Sequence, residues 1–135
     1  MADIRPVTDA FATAPQLQPG DMAEAAARGY RVVICNRPDG EAPDQPSAEA
    51  MRSAAESAGL RFVRAPFAGM PQPAHVAAFA QALDEADGPV LAFCRSGTRS
   101  ITAWALAQAE AGRDRGELVE LGRRAGYDLS AALGA

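Results

Sequence analysis

Lysine is absent from this 135-residue chain, so all 13 basic side chains are arginine, set against 17 acidic ones. The net charge of −4 leaves no broad cationic face for nucleic acid or anionic lipid. A single histidine and two cysteines are too few for a zinc-ligand spacing or a disulfide framework, so no metal or other cofactor is expected. Apolar runs fall short of the ~18 residues of a membrane span. The opening MADIRPVTDA also lacks the charged-then-apolar layout of a secretory signal, which makes a cytoplasmic protein without membrane attachment the expectation. Internal repeats and low-complexity tracts are missing too.

What remains is apolar material for one core: at 48% hydrophobic composition, residues 1–135 are expected to form a single domain. Three β-like runs, RVVICN (31–36), LRFVRA (60–65) and PVLAF (89–93), alternate with helical stretches. That alternation predicts an α/β fold with a central, mainly parallel sheet flanked by helices. Helices are expected from Asp21 to Arg28, from Ser47 to Gly59, and from Pro73 to Asp84, where Val76, Phe79, Ala80 and Leu83 share one face. A fourth is expected to begin just past Arg99 with Trp104 on its core stripe, and weaker ones cover Gly116–Ala125 and Asp128–Leu133. The opening DIRPVTDAFATAPQLQPG is expected to give one or two antiparallel edge strands.

Ligands bind outside the C-terminal ends of parallel strands, where the loops NRPDGEAPDQP, PFAGMPQP and CRSGTR come together. Only the last offers both a nucleophile and an anion clamp. Strand, glycine-containing loop and helix start gather backbone N–H groups around one point, reinforced by the positive end of the helix dipole. Gly97 supplies a positive φ, Ser96, Thr98 and Ser100 supply hydroxyls, and Arg99 forks two hydrogen bonds onto an oxyanion or a persulfide. The same field favours the thiolate of Cys94, the form that acts as a nucleophile. Arg95 flanks the anion site with its side chain expected in solvent.

CNRPDGEAPDQPS followed by GPVLAFCRSGTRS resembles the phosphatase-like domain of the β-lactamase hydrolase-like proteins, a bacterial family similar in fold to the dual-specificity tyrosine phosphatases. The resemblance runs from about Ile4 to Ala109. It implies a tyrosine-phosphatase-like sheet with flanking helices, and Cys94 with Arg99 as the catalytic pair.

Tyrosine phosphatases carry five residues between cysteine and arginine, whereas only Arg95, Ser96, Gly97 and Thr98 intervene here, as in rhodanese-type sulfurtransferases. A shorter ring of donors suits a sulfane sulfur better than a tetrahedral phosphate. A phosphatase also needs a positioned acid for its leaving group, worth on the order of 10²–10⁴ in rate. RFVRAPFAGMPQP contains no Asp or Glu. Both points favour a sulfurtransferase that moves sulfane sulfur through a Cys94 persulfide, with a small sulfur donor and an acceptor thiol as partners.

The alternative is a phosphate monoester hydrolase acting on a phosphorylated substrate through a Cys94 phosphocysteine. There Asp39 would be a relocated acid, or would order its loop against Arg99, although an Asp-Gly pair more often makes a turn. Cys35 ends a neighbouring strand and would be a redox partner for Cys94 in a non-catalytic thiol sensor. Glu41 and Asp44 are expected in solvent, Arg37 in a salt bridge with Asp39 or Glu41, and His75 in a structural role.

Overall fold

The four-residue runs VVIC and VLAF are buried at every position, as expected of strands covered on both faces. The computed structural model describes residues 1–134, in which these runs form β3 (Val32–Cys35) and β5 (Val90–Phe93). They lie side by side in a five-stranded sheet with β1 (Arg5–Thr8), β2 (Phe11–Ala14) and β4 (Arg61–Arg64), in the order β1-β2-β5-β3-β4. Every pairing is parallel except β1 with β2. The opening segment thus departs from expectation. Only β1 is an antiparallel edge, while β2 is an interior parallel strand whose four residues are all buried beside β5.

Side chains alternate between two cores. Phe11, Val32, Ile34, Val90 and Ala92 face α3 (Pro73–Glu85), α4 (Thr98–Glu110), α5 (Arg115–Arg124) and α6 (Ser130–Leu133). Ala12, Val33, Cys35, Leu91 and Phe93 face α1 (Asp21–Ala27) and α2 (Ala48–Ser57). Ser47 caps α2 by accepting from the Ala50 N–H at 3.1 Å. His75 opens α3 by accepting from the Gln72 N–H at 2.9 Å while its ring stacks on Phe67, the structural role expected of it. The fourth helix begins one residue before Arg99 rather than after it, because Gly97 already supplies the turn.

Trp104 anchors α4 to the sheet: its ring stacks on Phe11 with centroids 4.9 Å apart and planes 3° from parallel. Trp104→Ala should therefore cost about 3–5 kcal/mol in urea unfolding. A loss below about 1 kcal/mol would mean that this helix is held by other contacts.

Candidate active site

The chain leaves β5 at Phe93 and enters α4 at Thr98, so Cys94, Arg95, Ser96 and Gly97 make the whole turn. Gly97 makes it in the left-handed region at φ 93°, and its N–H donates to Cys94 Sγ at 3.2 Å. Gly97, the residue before α4, has no side chain to cap the helix. Cys94 itself is fully covered. Above it, Ser96 and Thr98 are exposed and joined through their hydroxyls at 3.0 Å, with the Thr98 N–H on Ser96 Oγ at a long 3.4 Å.

Arg99 reaches this loop from the first turn of α4. Its Nη1 donates to Glu41 Oε2 at 2.9 Å and to the Phe67 carbonyl at 3.0 Å, and its Nη2 donates to Glu41 Oε1 at 2.7 Å. A guanidinium has five N–H donors, so these contacts use three of them and leave Nε–H and one Nη2–H outside the Glu41 and Phe67 bonds. Glu41, and after it the nearby Cys94 sulfur, hold the Arg99 guanidinium above its ordinary range against the burial that opposes them. Glu41 also takes Arg37 Nε at 2.9 Å, and Arg37 Nη1 donates to Gln16 Oε1 at 3.0 Å. Arg37 is only 4% exposed.

Several sequence expectations are corrected here. Glu41, read as solvated, is the carboxylate that sets Arg99. Asp39 does not order its loop against Arg99: Oδ1 accepts from the Ala48 N–H at 2.8 Å and Oδ2 pairs with Arg64 at 3.2 Å. Ser100 is buried with its hydroxyl donating to Asn36 Oδ1 at 2.8 Å, so it ties the first turn of α4 to the end of β3 instead of facing an anion. Arg95 is exposed, and Arg37 makes the salt bridge to Glu41 expected of it.

Cys35 and Cys94 are both free. The register pairs Cys35 with Phe93, one residue short of Cys94, and places the Cys35 side chain in the core beneath α1 and α2. Burial pushes the Cys35 thiol up to about 11, which keeps it protonated and a poor partner for thiol exchange.

Two residues that sequence reasoning missed support the turn from outside. Thr13 Oγ1 donates to the Gly97 carbonyl at 2.9 Å, and the Tyr127 hydroxyl donates to the Ser96 carbonyl at 2.8 Å. Neither lies near the loop in sequence. Only Arg37 and Glu41, four residues apart in one short loop, gave a local signal. A groove of about 530 Å³ lined by Asp9, Gly88, Pro89 and Arg113 lies by the β1–β2 turn and the start of β5, at the sheet edge away from Cys94.

A mostly parallel sheet whose central strand runs into a cysteine, a tight glycine turn and an arginine-bearing helix is the arrangement of a phosphatase-like domain. Residues 3–111 match the family "Beta-lactamase hydrolase-like protein, phosphatase-like domain", and the chain belongs to that family. It is 37% identical over 128 residues to the beta-lactamase hydrolase-like protein of Agrobacterium fabrum (strain C58 / ATCC 33970), covering 93% of this chain and 30% of that protein. The protein of the same name from Xylella fastidiosa (strain Temecula1 / ATCC 700964) is 37% identical over 129 residues, covering 94% and 30%. The chain thus spans about a third of the length of these relatives. Among solved structures, a candidate phosphatase from Neisseria meningitidis Z2491 superposes with a TM-score of 0.87 at 31% identity, covering 99% of this chain and 96% of that one. Tk-PTP in its active form shares the fold, with a TM-score of 0.75 at 19% identity over 98% and 91% of the two chains. No helix among the described residues is long and apolar enough to cross a membrane.

Hydrogen bonds from Arg99, followed by those from Arg37, hold the Glu41 carboxyl below its ordinary value of 4.5. A carboxylate depressed in the folded state contributes stability that is complete above its unfolded value and is lost as pH falls through the folded one. Glu41→Gln should therefore be less stable than the parent at neutral pH, and the gap should close as pH falls below the ordinary carboxyl value of 4.5. Urea midpoints across that range check this; a gap independent of pH would contradict the pairing.

Proposed function

We propose that the domain is a cysteine-dependent sulfurtransferase in which Cys94 carries sulfane sulfur as a persulfide. The observation that carries this reading is the absence of a usable acid around a tight anion turn. Glu41 is held ionised by two arginines, Asp39 is committed to Arg64 and the start of α2, and residues 60–72 contain no carboxyl group. Sulfur transfer needs no such acid.

The Cys94 thiolate attacks the outer sulfur of a donor such as thiosulfate, forming an S–S bond as the sulfur–sulfur bond of the donor breaks and sulfite leaves with its electron pair. The persulfide anion then sits against the Gly97 N–H and the Nε–H and Nη2–H fork of Arg99. An acceptor thiolate, or cyanide in the assay, attacks the terminal sulfur and returns the Cys94 thiolate. Entry of the donor displaces the Ser96 hydroxyl from the Thr98 N–H, whose hydrogen bond is a long 3.4 Å.

A second reading, phosphate monoester hydrolysis through a Cys94 phosphocysteine, is supported by the description of the family and by the candidate phosphatase of Neisseria meningitidis. It would use the same Cys94 and Arg99. Its leaving group would depart without a proton from these carboxylates, which confines it to activated esters.

Thiocyanate formation from thiosulfate and cyanide, followed beside p-nitrophenyl phosphate hydrolysis, separates the two. Thiocyanate should form with the parent domain and with Cys35→Ser, and not with Cys94→Ser. Arg99→Lys, which keeps the charge and loses the fork, should lower kcat/KM by about 10²-fold. Cys94-dependent release of p-nitrophenol without thiocyanate would overturn the sulfur-transfer reading in favour of phosphate.

A further inference from the structure

The Ser96 carbonyl and the Gly97 N–H belong to one planar peptide unit and point in opposite directions. The N–H end is on Cys94 Sγ at 3.2 Å, and the carbonyl end accepts the Tyr127 hydroxyl at 2.8 Å. Whichever end faces the cysteine decides whether the turn attracts or repels an anion. Nothing in the local chain settles this, because a glycine places little restriction on the rotation of the peptide that precedes it.

Tyr127 arrives from the segment between α5 and α6, 31 residues from Ser96, and its side chain is the one partner of that carbonyl among the described residues. Its seat is built. A Cβ at Gly97 would lie 2.2 Å from the Tyr127 hydroxyl oxygen, Arg5 lies over the ring at 5.2 Å, and Arg5 is itself held by Asp3. Burial raises the phenol above its ordinary range, so it remains a donor throughout the working pH range.

The neighbouring peptide gives an internal contrast. The Gly97 carbonyl accepts Thr13 Oγ1 at 2.9 Å but also the Ile101 N–H at 3.0 Å, the first hydrogen bond of α4. That peptide is fixed by the helix without Thr13. The Ser96 carbonyl has no such second partner.

We infer that Tyr127 is a positioning residue of the Cys94 site: its hydroxyl holds the Ser96–Gly97 peptide with the carbonyl outward and the N–H towards the anion. This rests on the anion-transfer reading of the turn but not on which group is transferred. A hydrogen bond on the carbonyl also polarises the N–H at the other end of the unit, strengthening its bond to an anion.

Sulfate titration of the ¹⁵N-labelled domain, read at the Gly97 and Thr98 amides, tests the assignment. Tyr127→Phe keeps the ring and should raise the half-saturating sulfate concentration about tenfold, the scale of one hydrogen bond, while lowering Tm by only a few degrees so that the domain stays folded. Thr13→Val should shift it less than about threefold, because Ile101 still holds the second peptide. In turnover, Tyr127→Phe should raise KM for thiosulfate and lower kcat, as both donor and persulfide use the Gly97 N–H. Should the phenylalanine variant not fold, the ¹³C,¹⁵N-labelled parent gives the second readout: the Tyr127 ring carbon bearing the hydroxyl and the Ser96 carbonyl carbon should shift with the Gly97 amide over one half-saturation. Unchanged sulfate affinity in Tyr127→Phe, or a Ser96 carbonyl that ignores sulfate, would overturn the role of Tyr127. No sulfate response at Gly97 in the parent would overturn it together with the anion site, whereas normal sulfate behaviour without thiocyanate would remove only the sulfur chemistry.

Discussion

A strand that ends at Phe93 becomes a helix that begins at Thr98 within four residues, and the chain turns there through one left-handed residue. Gly97 at φ 93° meets that constraint. The turn brings the Gly97 N–H onto Cys94 Sγ, sets Arg99 in the first helical turn, and leaves no room for a Cβ where the Tyr127 hydroxyl sits. The placement of Cys94, Arg99 and the Gly97 amide follows from one backbone bend.

Around that bend the charges are arranged so that the clamp is fixed without being filled. Glu41 holds the end of the Arg99 guanidinium and leaves Nε–H and one Nη2–H outside the pair, and the same carboxylate anchors the almost fully buried Arg37. Two guanidinium groups sharing one carboxylate leave a net positive charge at the mouth. On the proposed reading, that excess charge is what a small anion would meet in an acidic chain with no lysine. It also removes Glu41 from acid catalysis, because a carboxyl held ionised by two arginines gives up no proton near neutral pH.

Much of this was legible in the chain. The runs 31–36 and 89–93 announce β3 and β5 because strands buried on both faces are apolar at nearly every position, 60–65 announces the edge strand β4 by the Phe62–Val63 pair between exposed arginines, and CRSGTR marks the tight turn into α4. The placement of β2 was not, since FATA is short, follows Pro6, and gains its interior position only by pairing with β5. Glu41 looked like a surface residue because its partner is 58 positions away, and Tyr127 and Thr13 were invisible for the same reason. Asp39 drew attention through its neighbour Gly40, yet its carboxylate serves the start of α2 and Arg64.

The shared architecture places this domain among phosphatase-like proteins, and the chemistry assigned to it depends on what one thiol accepts. Intact-protein mass spectrometry of the reduced domain after brief exposure to thiosulfate measures that directly. The account predicts a mass gain of one sulfur atom on the parent chain, absent in Cys94→Ser and removed by cyanide. An unmodified parent under conditions where Cys94 is reduced and the domain is folded would contradict it.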